Sequence, residues 1–292
     1  MNAAPYQLLV NRSLRSVRYP GFIGGRVQGG LTAAPREAGV GDCALFDFTH
    51  GVFAVADGSD RDPSASRRFM AMFSRMLKYS VHPPAGRALS DSEVSDMVKT
   101  LTAETERLLC SMAFGNGCTF TGALLLRTVE GTAAIVMHTG DSLLISCDLG
   151  ACHACQLTVD NFWMVGRSQR FFQIETLPVT DSTRLFLATD GLGAIPFPPE
   201  AGRDKFILGL FESCSPDEIP DRIFDYAGPP APGRDDTSVI AINPSALVYL
   251  PQCLILGGTG IHEEKVFQEE RARGARADRY APVPSSDECL TI

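Results

Sequence analysis

The first clear pattern along the chain is a pair of short apolar runs on either side of a tight turn. Residues 43–48 and 52–56 are mostly apolar, and the turn between them contains Gly51. Two such runs across a short glycine-bearing turn are typical of a β-hairpin. The second run ends abruptly at Asp57, which Gly58 follows. The hairpin is therefore predicted to carry an aspartate at the end of a buried strand.

Two helices are predicted after this hairpin. Pro63 suits the first turn of a helix, where its missing N–H leaves no bond unmade. From there, apolar residues recur at the spacing of one helix face, at Phe69, Met72, Phe73, Met76 and Leu77. Such a stripe is far more often core than a binding face. Ser90 and Glu93 match a capping box, which predicts a second helix to about residue 112.

The middle of the chain changes to short strands. Apolar or β-branched runs predict strands at 119–127, 133–139, 143–147, 184–188 and 238–242. The first three are separated by tight turns, which predicts an antiparallel meander. Two helices are predicted at 206–211 and 217–226, the second capped by Ser215.

This order of elements groups strands with strands and helices with helices. It predicts an α+β fold class and not a doubly wound parallel sheet. Two antiparallel sheets packed together, with helices outside, accommodate the predicted strands. Residues 1–244 would form this domain, and residues 245–292 are predicted as a C-terminal extension, a charged helix followed by a flexible tail. The tail is either a solvated end or a segment that binds a partner.

Composition narrows the range of partners and compartments. The 292 residues carry a formal net charge of -8, whereas nucleic acids and anionic membranes bind basic surfaces. We therefore expect neither partner, and no apolar run approaches the roughly 20 residues of a membrane span. Nine scattered cysteines do not resemble a disulfide framework and favour a reducing compartment. A cytoplasmic protein is predicted.

The candidate chemistry lies in aspartates that stand at strand ends or in turns. They are Asp57, Asp141, Asp190 and Asp235, with Asp42 as a candidate fifth. Carboxylates that are brought together repel unless some are protonated or a cation lies among them. Hard oxygen ligands favour Mg²⁺ or Mn²⁺. Any single Asp-Gly pair is more often an ordinary turn, so it is the ordered set that points to a metal centre.

The ordered set resembles the motifs of the PPM (type 2C) family of protein serine/threonine phosphatases. Residues 52–58 resemble the first Asp-Gly motif of that family, and residues 117–119 are similar to its Gly-x-Thr strand. Residues 139–142 resemble its Gly-Asp-Ser turn, residues 185–192 its second Asp-Gly motif, and residues 235–240 its closing motif. Each motif alone is weak, but five in the family's order are fairly specific.

The resemblance implies a four-layer α-β-β-α fold, an antiparallel β-sandwich of two sheets flanked by helices. It also implies a metal centre at one end with two or three Mn²⁺ or Mg²⁺ ions. The metal ligands that it implies are Asp57, the carbonyl of Gly58, Asp141, Asp190 and Asp235. The catalytic residues would be Asp57, which bridges two metals, and Asp42, which holds metal-bound water. Arg36 would bind the substrate phosphate.

The chain departs from the family's pattern in several places. Gly41 stands where an acidic or amide residue usually precedes the catalytic aspartate, and Arg36 is one position off the usual spacing. No histidine follows the first Asp-Gly pair. The proton for the leaving group is left open among metal-bound water, Asp60 and the histidines. Three further polar residues are predicted to be structural or exposed: His50, His138 and Asp236.

The predicted function is hydrolysis of phosphoserine and phosphothreonine monoesters of a phosphorylated protein, through a metal-activated water. The signalling role would be to reverse a serine/threonine kinase. One alternative is a catalytically silent phosphatase-like module that binds a partner. Another is a metal phosphohydrolase that acts on small molecules, with the same metal centre. The substrate class therefore rests on the resemblance.

Overall fold

Two stacked β-sheets with helices on both outer faces make up the described part of the molecule. The computed structural model describes residues 7–10, 15–30, 39–59, 63–84, 86–112, 117–199, 202–229, 233–273 and 279–282. The layers run helices, sheet, sheet, helices. This arrangement confirms the predicted α+β sandwich of four layers.

Sheet 1 has seven strands and contains the predicted hairpin at its centre. They are β1 (Gln7–Val10), β4 (Val40–Asp47), β5 (Val52–Ala56), β6 (Phe120–Thr128), β7 (Gly131–Thr139), β10 (Gln173–Val179) and β13 (Gln252–Thr259). Their order across the sheet is β1-β13-β4-β5-β6-β7-β10. All neighbouring pairs are antiparallel except β1 and β13, which are parallel.

Sheet 2 also has seven strands, from both halves of the chain. They are β2 (Ser16–Tyr19), β3 (Ile23–Gln28), β8 (Leu143–Asp148), β9 (His153–Gln156), β11 (Thr183–Ala188), β12 (Thr237–Ile242) and β14 (Arg279–Tyr280). Their order is β14-β2-β3-β12-β11-β8-β9. Only the β14–β2 pair is parallel among these strands.

The helices cover the outer faces of the two sheets. Helices α1 (Pro63–Met76) and α2 (Asp91–Ser111) pack on sheet 1, and α3 (Gly202–Ser213) and α4 (Ile219–Ala227) pack on sheet 2. The predicted capping box of Ser90 and Glu93 is present at the start of α2. The predicted Ser215 cap of α4 is wrong, because the Ser215 hydroxyl donates to Asp217 and the helix begins later. None of the described helices combines the length and apolar character needed to cross a bilayer.

The central apolar layer lies between the two sheets and is rich in phenylalanine. Phe46 and Phe53 are paired across the hairpin and are fully buried in this layer. Their neighbours along the strands point the other way, towards α1, as strand alternation requires. Gly25 of β3 faces Phe46, and a Cβ at this glycine would lie 2.1 Å from the phenylalanine ring. A residue without a side chain is therefore required where the sheets approach here.

The predicted meander is wrong at its last step. Strands β6 and β7 pair along their length, but β8 lies in sheet 2 and pairs with β9 and β11. The chain crosses between sheets at Gly140, where φ is +104°. A Cβ at this position would lie 2.7 Å from the Thr119 side chain. Both the positive φ and the close approach require glycine, so a turn that looks like a hairpin turn is a crossover.

Part of the predicted C-terminal extension is built into the sandwich. Strand β13 lies between β1 and β4, and its residues from Cys253 to Thr259 are buried. Helix α5 (Ile261–Ala272) follows it directly. An ion pair between Glu263 of α5 and Arg67 of α1, at 3.1 Å, ties this helix to the rest of the fold. The predicted flexible tail, at residues 283–292, lies outside the described residues.

Candidate metal centre

Three of the predicted aspartates lie at the same end of sheet 2. Ala188, the last residue of β11, pairs with Leu143 at the start of β8 and with Val239 near the start of β12. The residues just beyond these pairs therefore meet at one edge. They include Asp190, which opens a 3-10 turn (Asp190–Ala194), together with Asp141 before β8 and Asp235 before β12. All three side chains belong to exposed residues.

The end of β5 in sheet 1 is fastened to the same edge by hydroxyl groups. The Asp57 N–H donates to Thr119 Oγ1 at 2.9 Å, and the Thr119 N–H donates to the Asp57 carbonyl at 2.9 Å. Thr119 Oγ1 lies 2.7 Å from Ser142 Oγ, beside Asp141 in the crossover turn. Thr119 thus holds the first Asp-Gly turn against the turn that carries Asp141, although the two belong to different sheets.

A second threonine joins the sheets at Asp42, which lies in β4. Thr189 Oγ1 donates to Asp42 Oδ2 at 2.6 Å and accepts from the Ser238 N–H at 2.9 Å. Thr189 immediately precedes Asp190. Asp42 is 1% exposed, so it differs from the aspartates of sheet 2 in being sealed inside the edge. Its other carboxylate oxygen, Oδ1, is buried and accepts no hydrogen bond within the described residues, and the carboxyl groups of Asp42 and Asp57 are close enough to hydrogen-bond when one of them is protonated.

Asp236 serves the backbone, in line with its predicted structural role. Its two carboxylate oxygens accept the N–H groups of Gly30 and Gly41, at 2.7 and 2.8 Å, and it is 1% exposed. A Cβ at Gly30 would lie 2.0 Å from the Arg234 carbonyl, so this close packing of β3 against the closing loop requires glycine. Asp236 thereby fixes the loop that presents Asp235.

Three carboxyl groups at this edge, those of Asp42, Asp57 and Asp190, have a raised pKa. Burial, followed by the charge of Asp190, raises the pKa of Asp57 to about 8, and the charges of Asp235 and Asp141 act in the same direction. Burial and the charges of Asp141 and Asp235 raise the pKa of Asp190 to about 6. Burial and the charges of Asp57 and Asp236 hold the pKa of Asp42 well above its ordinary value. The surroundings of these three carboxyl groups therefore disfavour their ionised form.

A hard divalent cation fits this set of oxygen donors in charge and in chemistry. A cation would remove the repulsion between the carboxylates, and all the candidate donors are oxygen atoms, which Mg²⁺ and Mn²⁺ prefer. Within the described residues, no three His, Cys, Asp or Glu side chains converge closely enough to form a metal site. Electrostatic repulsion acts over longer distances than metal–ligand bonds. The carboxylates are therefore close enough to repel one another but not close enough to coordinate one ion. Binding would have to draw them together.

The two predicted structural histidines are buried and hydrogen-bonded. His50 Nδ1 lies 2.8 Å from Asp47 Oδ2, in the turn of the β4–β5 hairpin. His138 Nδ1 lies 2.8 Å from Thr121 Oγ1, and its Nε2 lies 3.0 Å from the Val159 carbonyl. Burial lowers the pKa of His138. Arg36 and Asp60, the predicted phosphate ligand and a candidate proton donor, lie outside the described residues.

Sequence reasoning missed the hydroxyl residues that hold this edge together. Thr119 and Thr189 each stand next to a motif that was recognised, but their partners are 62 and 147 residues away along the chain. Thr189 is the residue before the second Asp-Gly pair, and Thr119 ends the Gly-x-Thr strand. Their places in the motifs were the available signal, but a hydroxyl's distant partner cannot be identified from one sequence.

Comparison with solved structures places this fold among those of known phosphatases. The PPM Ser-Thr phosphatase MsPP from Mycobacterium smegmatis, solved with cacodylate, shares 18% identity over 77% of this chain and 99% of its own, with a TM-score of 0.50. PppA, a key regulatory component of T6SS in Pseudomonas aeruginosa, shares 16% identity over 78% of this chain and 99% of its own, with a TM-score of 0.53. The catalytic domain of the serine threonine protein phosphatase PstP, with two manganese ions, shares 18% identity over 75% and 96%, with a TM-score of 0.50.

These similarities establish the fold. No protein-family model matches the chain, and no curated protein matches it in sequence. At 16–18% identity, the likeness to the three solved structures concerns the fold alone. The sequence resemblance to the PPM phosphatases is thus confirmed at the level of the fold, which the chain shares over about three quarters of its length.

Proposed function

We propose that this chain is a metal-dependent phosphatase that hydrolyses phosphoserine and phosphothreonine monoesters of proteins. The observation that carries the proposal is the edge where buried and exposed aspartates raise the pKa of Asp57 to about 8. A fold gains no stability from carboxylates that repel one another. Such an edge is explained if a cation occupies it in the working protein. The fold shared with MsPP and PstP supports the choice of reaction.

The proposed ligands are the ones expected from the sequence. Asp57, the Gly58 carbonyl, Asp141, Asp190 and Asp235 would hold two or three Mn²⁺ or Mg²⁺ ions. The two manganese ions in the PstP structure support this proposal. When bound, such ions lower the pKa of water towards neutrality and stabilise negative charge on a phosphoryl group.

Asp42 is the residue of this chain best placed to manage a proton at the edge. Its Oδ2 accepts from Thr189, and its carboxyl group lies within hydrogen-bonding reach of the Asp57 carboxyl group, so the pair can share a proton. In the metal-free protein, burial and neighbouring charges keep its pKa well above the ordinary value, so this carboxyl retains a proton more readily than an ordinary aspartate does. We therefore assign Asp42 and Asp57 as the catalytic residues, and Arg36 as the substrate-phosphate ligand on the strength of the resemblance.

The binding partner and the cellular compartment are part of the same proposal. The net charge of -8 disfavours nucleic acid and anionic membranes as partners, and the fold shared with the Ser-Thr phosphatases MsPP and PstP supports a phosphorylated protein as the substrate. A cytoplasmic role in reversing a serine/threonine kinase follows from the cysteine usage and the resemblance. The C-terminal tail is proposed as a partner-binding segment.

The deciding experiment is hydrolysis of p-nitrophenyl phosphate by the purified full chain with Mn²⁺, with Mg²⁺ and with EDTA. We expect turnover that needs one of the cations and falls by at least about a hundredfold in Asp57→Asn, since even residues that only support metal ligands are worth up to that factor. Asp181→Asn, an exposed aspartate in the β10–β11 turn, is the matched control and should keep full activity. A folded wild-type protein without turnover in either cation would overturn the proposal and favour the silent binding module.

A further inference from the structure

Residues 159–172 expose a group of large apolar side chains beside the aspartate edge. Phe162 is fully exposed, and Val159 and Phe172 are 59% and 45% exposed. The ring of Phe172 meets that of Trp163 edge to face, with 5.8 Å between centroids. We call these four residues the aromatic ledge. A single exposed apolar residue needs no explanation, but a group within one segment is typical of a binding surface.

One end of the ledge is fastened to the crossover turn of the candidate metal centre. The Asn161 N–H donates to the Gly140 carbonyl at 2.9 Å, and the Gly140 N–H donates to Asn161 Oδ1 at 3.0 Å. This pair of bonds joins the residue before Phe162 to the residue before Asp141.

The other end of the ledge is fastened to the first Asp-Gly turn. Ser59, which directly follows Gly58, donates its hydroxyl to the Met164 sulfur at 3.6 Å. The next residue, Val165, exchanges two backbone hydrogen bonds with Cys118, at 2.9 and 3.2 Å. Phe162 and Trp163 lie between these attachments and are therefore held next to both aspartate turns, and the full exposure of Phe162 is a feature of an anchored segment.

Charged residues of both signs stand beside the ledge, the arginines Arg167 and Arg170 and the acidic residues Asp160 and Glu106. The Arg170 guanidinium lies 5.1 Å from the centre of the Trp163 ring, and Arg167 is exposed nearby in the chain. Neither arginine forms an ion pair with a carboxylate of the described residues. The arginine and the tryptophan also line a cavity of about 470 Å³, whose other walls include Glu106, Cys110, Ser168 and Gln169. This cavity is large enough for a side chain of a bound polypeptide.

We propose that the aromatic ledge binds the polypeptide around the phosphorylated residue and selects segments with a large apolar side chain close to it. The inference rests on the proposed function, because the ledge gains this role from its place beside the metal centre. An extended peptide advances about 3.3 Å per residue. A phosphoserine at the aspartate edge therefore places side chains only a few residues away over Phe162 and Trp163.

The test compares two phosphoserine peptides that carry either leucine or alanine at the two positions on each side of the phosphoserine. We expect the wild-type protein to have a kcat/KM about tenfold higher for the leucine peptide, which is the scale for burial of one large apolar group. Phe162→Ala should abolish this preference, measured relative to its own kcat/KM for p-nitrophenyl phosphate. Val129→Ala is the matched control, since Val129 is 70% exposed at the far end of β6, and it should keep the preference.

A binding measurement separates this inference from the proposed function. Trp163 is the only tryptophan of the chain, so intrinsic fluorescence of the Asp57→Asn protein reports peptide binding without turnover. We expect a saturable change with the leucine peptide and about tenfold weaker binding of the alanine peptide. If p-nitrophenyl phosphate is hydrolysed but neither peptide assay discriminates, the ledge proposal is overturned and the phosphatase stands. If turnover is absent while the fluorescence assay discriminates, the ledge stands and the phosphatase fails.

Discussion

The two ends of the β4–β5 hairpin each bury an aspartate, and the surroundings of these aspartates are opposite. At the turn, Asp47 is fully buried and accepts from the His50 N–H and from Ser74 Oγ, both at 3.1 Å. At the open end, Asp42 is equally buried but faces the carboxyl group of Asp57, and one of its carboxylate oxygens receives no hydrogen bond from a donor group of the described structure.

The difference teaches how to tell a buried carboxylate that stabilises the fold from one that weakens it. Burial alone does not separate them, because both Asp47 and Asp42 are nearly inaccessible. What separates them is whether the neighbouring groups donate hydrogen bonds or carry negative charge. Hydrogen-bond donors compensate the loss of water around Asp47, whereas carboxylates around Asp42 add repulsion to that loss. An arrangement that weakens the fold is expected where function requires it.

The largest effect that sharpens this comparison is expected from Asp47→Ala. The substitution leaves the His50 and Ser74 donors buried without their acceptor, and breaking a buried polar pair in this way costs about 3–5 kcal/mol. Urea unfolding of the metal-free protein measures the loss in the free energy of unfolding.

Two variants serve as controls for that measurement. Asp96→Ala removes an exposed aspartate of α2 and should leave the stability nearly unchanged. Asp57→Asn removes a carboxylate from the repelling end, so it should leave the metal-free stability unchanged or raise it. Equal losses in Asp47→Ala and Asp57→Asn would contradict the distinction between the two ends.

The sequence predicted most of the elements because their patterns are local. The hairpin, α1 and the capped α2 depend on periodicity and on a capping box within four residues, and all three were confirmed. Strand β10 was missed because it lies at a sheet edge, where its half-exposed residues show no apolar run. The crossover at Gly140 was missed because a glycine turn has the same local pattern whether the next strand pairs with the last or joins another sheet.

The aspartates of the candidate site could be predicted from the sequence, but the residues that hold them in place could not. Asp57, Asp141 and Asp190 each end or interrupt an apolar run, which a single sequence shows. The contacts that assemble them run from Thr119 to Asp57 and from Thr189 to Asp42, and such contacts depend on tertiary packing. Strand β13 illustrates the same limit, since its partners in the sheet lie at the opposite end of the chain.

A smaller effect is expected from Thr189→Val, which tests whether Thr189 positions Asp42 at the open end of the hairpin. The change keeps the shape of the side chain but removes the hydroxyl that donates to Asp42 and accepts from Ser238. We expect kcat to fall about tenfold in the p-nitrophenyl phosphate assay, on the scale of other residues that orient a metal site. Thr189→Ser keeps the hydroxyl and should restore most of the activity. Equal activity in the valine and serine variants would show that this hydroxyl does not position Asp42.

The last expected effect is a pH dependence of stability in the metal-free protein. The pKa of Asp57 is about 8 in the fold, against an ordinary value near 4 in the unfolded chain. Between these values the folded state holds the proton more tightly, so its stability is fully present below about pH 4 and is lost as pH rises through about 8. One such group contributes at most about 1.4 kcal/mol per pH unit.

Urea unfolding in EDTA at pH 5, 6, 7 and 8 measures this decline, with Asp57→Asn as the matched variant. We expect the wild-type stability to fall across the series and the slope to be smaller in the variant, where only Asp190 and Asp42 still titrate in this way. Saturating Mn²⁺ should flatten the wild-type decline, because a cation favours the ionised carboxylates that the metal-free edge resists. A wild-type stability that falls no more steeply than that of Asp57→Asn in EDTA would show that Asp57 is not held against its neighbours' charges, and it would remove the main argument for a cation there.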